Sequence, residues 1–335
     1  MNKTPQELVD RFIETRDAVR AAFRMENEYI YPVCAQIFLA ADKPVEIEQL
    51  ERCKALVKSS TSVFSSFRGN VKLPLLCMLA AGDDPEERWD RTRRYYALLK
   101  ESFYGSEYLA LGAMLLSDAV QEEDVPALAA RGKGLYQRMK KEHPFLTGQE
   151  DSVFALLLSQ SARSDDELIE DMEKCYGLLK ERFPSGNGLQ AASHVLALSS
   201  EIPVDKTFRM IGIFNAIEEA GGKYGKDWQL PILAALSLGQ RFQEDLAREL
   251  LEIDALLSKR KGYKGVFGLD RRARSMHAAM LLSLQHEAEP KQPVELVGAA
   301  AQQAALAIIA AQQALMCAVV ASSAASSAAA STASH

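Results

Sequence analysis

The chain has 335 residues, of which 48% are hydrophobic and 25% are charged, and its formal net charge at pH 7 is −6. This composition is ample for a folded core, and the negative charge argues against general affinity for nucleic acids or anionic membranes. The first residues, MNKTPQELVDRFIETRD, mix both charge signs without an apolar run, so we expect no secretory signal.

Two kinds of marker alternate along the chain with a period of about 40 residues. One is an aromatic residue shortly before a glycine, and these glycines are 36 to 43 residues apart. The aromatic residues are Phe67, Phe103, Phe145, Phe183, Tyr224 and Tyr263. The other marker is an acidic turn, which contains Asp42, Asp83, Asp124, Asp165, Asp205 or Asp245. Two interleaved markers with one period indicate a unit of two elements.

Both elements are predicted to be helices. The run after each acidic turn is amphipathic, as in DDELIEDMEKCYGLLKERF from Asp165 to Phe183, where apolar residues recur at three- and four-residue spacing. Carboxylates at its start and basic residues at its end suit the helix dipole. The run after each glycine is rich in Leu, Ala and Met, as in LPLLCMLAA from Leu73 to Ala81. We expect the glycines to adopt the left-handed conformation after the first helix, with the aromatic residue closing the turn.

Each unit is therefore a predicted antiparallel helical hairpin. Taken in chain order, the units are 12–54, 55–94, 95–133, 134–174, 175–213, 214–252 and 253–286. The predicted fold is all-α, an α-solenoid of about seven hairpins over residues 1–286, similar in unit length to HEAT or armadillo proteins. A compact helical domain without repeats is the alternative. A toroid with a single helix layer is not favoured, because its units are usually longer.

The pattern stops near residue 286, and a linker is expected at 287–293. Residues 294–320 form an Ala/Gln-rich apolar segment in which only Glu295 is charged, and 321–335 are Ser/Ala low-complexity sequence. The apolar segment is long enough to span a bilayer. However, it contains four glutamines and lacks flanking aromatic or cationic anchors. We therefore expect a helix that docks or self-associates, with a membrane anchor or a disordered tail as alternatives.

No catalytic motif, metal site or cofactor site is predicted from the sequence. The five cysteines lack C-x-x-C spacing, which is typical of reduced thiols in a cytoplasmic protein. An enzyme with an unrecognised site remains an alternative, and its acid or base would come from His194, Asp227 or Glu107.

Nine residues are candidates for binding. Seven are cations near the last predicted hairpin: Lys259, Arg260, Lys261, Lys264, Arg271, Arg272 and Arg274. They are suited to a phosphate, an acidic partner or RNA, although a solvated cap that keeps the array soluble is the favoured explanation. The other two are His194 and His277, at nearly matching places on second helices, where they would face one groove or be ordinary, partly buried imidazoles. We expect them to be too far apart to share a metal.

The architecture predicts a non-enzymatic interaction protein that binds a protein or peptide in the groove of its helical array. Self-association through the C-terminal helix would be a second interaction. An enzyme, or a membrane-associated protein that uses the apolar segment, is the alternative. Nucleic acid is not an expected partner, and a membrane is less favoured than a protein.

Two phrases, LLKERFPSGNGLQAASHVLALSSEIP (178–203) and KDWQLPILAALSLG (226–239), resemble an uncharacterised bacterial family, domain of unknown function 4003. The resemblance covers about residues 5 to 320, including the Ala/Gln-rich segment. It implies a bacterial cytosolic protein without an assigned activity, and it supplies no catalytic residues.

Overall fold

The computed structural model describes residues 4–286, except 25, 27, 239, 240 and 265–267. In this part of the chain the regular structure is fourteen α-helices and two short 3-10 turns, without a strand. The odd-numbered helices are α1 Pro5–Ala22, α3 Ile47–Ser60, α5 Pro85–Leu99, α7 Val125–Glu142, α9 Asp165–Lys180, α11 Pro203–Glu219 and α13 Gln243–Ser258. The even-numbered helices are α2 Ile30–Ala40, α4 Lys72–Ala80, α6 Glu107–Ala119, α8 Asp151–Leu158, α10 Asn187–Leu196, α12 Leu230–Ser237 and α14 Arg271–His286. The predicted all-α class is confirmed.

The acidic turns begin odd-numbered helices, as predicted. Asp84 precedes α5, and its carboxylate accepts a hydrogen bond from the Glu87 backbone N–H at 2.9 Å. Before α9, Ser164 and Glu167 form a capping box, in which each side chain accepts a hydrogen bond from the other residue's backbone N–H. Both arrangements satisfy N–H groups that have no partner inside the helix.

The two sets of helices form two layers. Every residue of α8, from Asp151 to Leu158, is buried, and α2 is buried from Ile30 to Leu39. A helix that is apolar and buried all round belongs to the interior. The odd-numbered helices bury one stripe and expose a charged face; α3, for example, buries Leu50, Cys53 and Val57. The even-numbered helices are therefore the inner layer, and the odd-numbered helices cover them.

Each odd-numbered helix packs on its odd-numbered neighbours, and the series closes because α13 packs on α1. The inner series also closes, because α14 packs on α2, while the 3-10 turn at Ser66–Arg68 lies between α4 and α6. We call the contact between the first and last hairpins the seam. At the seam, Arg260 forms an ion pair with Asp10, and the Arg16 guanidinium lies 5.6 Å from the centroid of the Tyr263 ring. The open HEAT- or armadillo-like row is not confirmed, because the first and last hairpins contact each other.

The turn glycines do not have the predicted conformation. Gly69 has a φ of −75° and Gly186 a φ of 171°, neither of which is left-handed. Among the described residues the left-handed glycines are Gly221 and Gly262, with φ of 77° and 88°. A separate constraint acts at Gly188, where a Cβ atom would collide with the backbone of Asp227. Close approach, rather than a left-handed turn, requires glycine at that position.

The connections divide the molecule into two ends. The end that we call the long-loop end carries the connections from odd to even helices: 23–29, 61–71, 100–106, 143–150, 181–186, 220–229 and 259–270. The short-loop end carries 41–46, 81–84, 120–124, 159–164, 197–202 and 238–242. The predicted linker, apolar helix and low-complexity tail at 287–335 lie outside the described residues.

Candidate functional site

Three consecutive hairpins expose an aromatic side chain at the long-loop end. Phe64, Tyr104 and Phe145 are 96%, 88% and 99% exposed, and we call them the aromatic rim. In each loop a neighbouring hydrophobic residue enters the core instead: Phe67 is 4% exposed, Phe103 is 7% exposed and Leu146 packs against the core. Each loop therefore has at least one large hydrophobic residue that its turn does not bury, and the first loop also exposes Val63.

The rim corrects one detail of the sequence interpretation. The marker aromatics were expected to close their turns, and five of them are buried: Phe67, Phe103, Phe183, Tyr224 and Tyr263. Phe145 is instead exposed. The sequence signal for the rim was present in the adjacent pairs Phe103-Tyr104 and Phe145-Leu146, of which only one member fits beneath the turn.

A polar cluster lies near the rim, where α6 and α8 begin. Burial raises the pKa of Tyr108, and the nearby carboxylates of Glu150 and Glu107 raise it further. The pKa of Glu150 is also raised, first by burial and then by the adjacent Asp151. Tyr136, on α7, has a raised pKa from burial and from the same two carboxylates, Asp151 and Glu150. Two tyrosines and three carboxylates thus share a site from which water is partly excluded.

Asp151 is the most buried member of this cluster, and it lies beside the buried His194 of α10. Asp151 accepts a hydrogen bond from the Gly148 N–H at 2.8 Å, where its charge faces the positive end of α8. Its other oxygen lies 3.3 Å from His194 Nδ1, an ion-pair distance without hydrogen-bond alignment, so Nδ1 has no hydrogen-bond partner. Because no hydroxyl or thiol bonds to His194 among the described residues, the pair lacks the nucleophile of a catalytic triad.

Thr147 and Gln190 connect the loop before α8 to α10. The Gln190 side-chain amide donates to Thr147 Oγ1 at 2.8 Å, and that hydroxyl donates to the Met139 carbonyl at 3.1 Å. Both residues are buried. Because their main hydrogen bonds are made within the chain, they stabilise the loop that presents Phe145.

Seven predicted binding cations lie in or beside the last long loop. Arg274 forms two 2.9 Å hydrogen bonds with Asp254, and Arg260 pairs with Asp10 at the seam, so both have structural roles. Arg271 donates to the Gly221 carbonyl at 3.0 Å. The other four are exposed and form no ion pair within the described part of the chain: Lys259, Lys261, Lys264 and Arg272. We call these four the basic loop.

The two predicted histidines do not share a groove. His194 contacts Asp151 and Phe154, whereas His277 Nδ1 is 2.9 Å from the Tyr263 hydroxyl. Both are buried, at 2% and 1% exposed. Burial and the nearby Arg16 lower the pKa of His277 to about 3. His277 is therefore a neutral core residue at the seam.

Glu107 and Asp227, the other two alternative catalytic residues, make structural contacts. Glu107 accepts hydrogen bonds from the Asn70 backbone at 2.7 Å and from its side chain at 3.2 Å, and thereby ties α6 to the preceding hairpin. The backbone of Asp227 packs against Gly188. In the described part of the chain, no group of three or more His, Cys, Asp and Glu side chains is arranged to hold a metal ion. No helix of that part combines the length and the hydrophobicity that crossing a membrane requires.

The comparisons with known proteins agree with the resemblance seen in the sequence. The uncharacterised protein YeaA of Bacillus subtilis (strain 168) is 24% identical over 251 residues, which covers 72% of this chain and 74% of that protein. No solved structure matches the chain. The profile of the family described as protein of unknown function, DUF4003, matches residues 17–314. The chain belongs to the DUF4003 family.

Proposed function

We propose that the protein is a non-enzymatic helical-repeat protein that binds an acidic, apolar polypeptide segment at its long-loop end. The proposal treats the seven hairpins as variants of one repeat of about 40 residues, as in HEAT and armadillo proteins, but closed into a ring. Buried aromatic residues at equivalent turns support a common repeat. The four cysteines of the described residues are unpaired and buried, which supports a location in the reducing cytoplasm.

The aromatic rim is the observation that carries this proposal. Large aromatic side chains exposed on neighbouring loops mark interaction surfaces, because they gain the most free energy when a partner covers them. The three rim residues are all more than 85% exposed, although Tyr104 directly follows the buried Phe103 and Phe145 directly precedes Leu146, which packs against the core. Packing of the hairpins does not require them to face solvent.

The positive charge of the basic loop favours a partner with negative charge. The seam brings the seventh hairpin beside the first, so the basic loop lies two hairpins away from Phe64. With about 10 Å between packed helices, that separation is roughly 20 Å, which about six extended residues span. A segment with apolar side chains at one end and carboxylates at the other would contact both features.

The test is selection of peptides from a random displayed library with the full-length chain. We expect the selected peptides to be enriched in Asp and Glu together with Leu or aromatic residues. The triple variant F64A/Y104A/F145A should weaken their binding about 10-fold or more, and K259E/K261E/K264E/R272E should weaken it by a similar factor. These side chains are exposed, so both variants should remain folded.

The matched control is F208A/F242A, which removes two exposed aromatic side chains at the short-loop end. This variant should bind the selected peptides as tightly as the unmodified chain does. Equal weakening by the control and the rim variant, or a selection without enrichment in acidic residues, contradicts the proposal.

A further inference from the structure

A second exposed hydrophobic surface lies at the short-loop end, on α11 and at the start of α13. Ile202, Val204, Phe208 and Phe242 are 60%, 59%, 69% and 78% exposed, and we call them the α11–α13 patch. Val204 and Phe208 are four residues apart and so lie on one face of α11. Together the four side chains present on the order of 400 Å² of apolar surface.

Contacts between the two helices make the patch continuous. α11 and α13 pack against each other, and the Gln243 side chain lies directly over Gly212 of α11. Phe242, the residue before Gln243, is therefore held beside α11. Ile202 and Phe242 occupy the N-cap positions of α11 and α13, and the two helices expose them in the same way.

Helix capping does not explain why these exposed positions carry large hydrophobic residues. A hydrophobic residue just before a helix often packs on the first turns as a hydrophobic staple. Phe242, however, is 78% exposed although Leu246 beside it is 1% exposed, so the Phe242 ring does not cover that turn. The patch lacks a cover within the described part of the chain.

The last described helix, α14, ends near the α11–α13 patch, at the short-loop end. α14 begins at Arg271, at the long-loop end, packs on α12 and α13, and ends at His286 at the short-loop end. Residues 287–293 reach up to about 23 Å when extended. That is enough to pass α13 and arrive at α11, since neighbouring helices are about 10 Å apart.

The segment that follows has the composition to cover the patch. Residues 294–320 contain one charged residue, Glu295, and many alanines, which permit close approach of another helix. Written on a helix, Leu306, Ile309, Met316 and Val320 fall on one side. The DUF4003 match extends to residue 314 and so includes most of this segment.

We propose that residues 294–320 fold back as a helix onto the α11–α13 patch of the same chain. Apolar side chains of the segment cover Phe208 and Phe242, and its alanines allow the helix to lie close to α11. This places an intramolecular contact at the short-loop end, opposite the aromatic rim.

The experiment uses the full chain with the photoreactive residue p-benzoylphenylalanine in place of Phe208. After irradiation and digestion, we expect the monomer to contain crosslinked peptides that join position 208 to residues 294–320. The same residue at position 64, in the aromatic rim, is the control and should give no link to that segment. Links only in a dimer, or no link to 294–320, would overturn the proposal.

Hydrogen exchange provides a second measurement on the same full chain. Docking should slow amide exchange in 294–320 about 10-fold or more relative to an unfolded peptide. The variant F208D/F242D should remove that protection, and the matched variant F64D/F145D should retain it. Exchange in the unmodified chain as fast as in an unfolded peptide, or protection that survives F208D/F242D, would overturn the proposal.

Discussion

At the scale of single residues, His277 shows how the interior fixes a protonation state. Its imidazole is 1% exposed, lies 2.9 Å from the Tyr263 hydroxyl through Nδ1, and contacts the Phe12 ring at a centroid distance of 6.4 Å. The positive charge of Arg16 lies close enough to disfavour a second cation. A protonated His277 would be a buried charge without a carboxylate partner, which folded proteins rarely tolerate.

The environment of His277 predicts that the folded protein loses stability at acidic pH. The pKa of histidine is about 6.5 in an unfolded chain and about 3 for His277 in the fold. Between these values only the unfolded chain binds the proton, so the free energy of unfolding falls as the pH falls. By pH 5 the loss from this residue should be about 2 kcal/mol relative to pH 7. The His277→Asn variant should lack that part of the loss, as measured by urea unfolding at the two pH values.

Phe12→Leu is the control for this experiment, because it disturbs the same cluster but keeps the imidazole. It should be less stable than the unmodified chain at both pH values and should show the same loss between them. If His277→Asn lost as much stability on acidification as Phe12→Leu, the assignment to His277 would be wrong.

At the scale of helices, cations from the outer layer cap the C-termini of the inner helices. Arg131 of α7 donates to the carbonyls of Ser159 at 3.0 Å, Ser161 at 2.5 Å and Arg163, just after α8. Arg209 of α11 likewise donates to the Ser237 carbonyl at the end of α12, at 2.7 Å. Carbonyls at and just after a helix C-terminus have no partner inside the helix, and the positive charge suits the negative end of the dipole.

Arg131→Ala should therefore destabilise the protein by about 2–4 kcal/mol, because it leaves several partly buried carbonyls without donors. Arg131→Lys should recover part of this loss, since an ammonium replaces only some of the guanidinium hydrogen bonds. Urea unfolding measures the stability of both variants.

Arg138→Ala is the matched control on α7. It removes an ion pair with Asp166, which is 89% exposed, and should cost less than about 0.5 kcal/mol. Equal losses in Arg131→Ala and Arg138→Ala would contradict the capping role.

The helices were predictable because their determinants are local. Apolar residues at helical spacing, capping residues such as Asp84 and Ser164, and the change from amphipathic to fully apolar runs all lie within a few residues of the structure that they specify. Whether Phe145 or Leu146 packs against the core was not predictable in this way, since it depends on the shape of the space beneath the turn. The pairing of Asp151 with His194 likewise depends on how α8 lies against α10.

At the scale of the whole molecule, the contacts that close the ring join residues that are far apart in the sequence. Asp10 and Arg260 are 250 positions apart. Closure depends on contacts of α13 with α1 and of α14 with α2, and no short sequence motif specifies contacts over such a separation. The sequence therefore predicted the all-helical class, but the boundaries of its predicted units fall inside the odd-numbered helices. It did not predict the seam, and the predicted groove depended on that missing information.

The seam also couples the ends of the chain, which Phe12→Ala tests. Phe12 is 1% exposed, and its removal should cost roughly 3–5 kcal/mol. In a closed ring this loss weakens both hairpins at the seam. Native-state hydrogen exchange should therefore accelerate in α13 and α14 as well as in α1 and α2, and change less in α7 and α8.

Leu156→Ala, in α8, is the control and should accelerate exchange in α6 to α10 before it affects α14. In an open row, α13 and α14 would be the helices farthest from Phe12. Acceleration confined to α1 through α4 would show that the seam does not hold the ring together in solution.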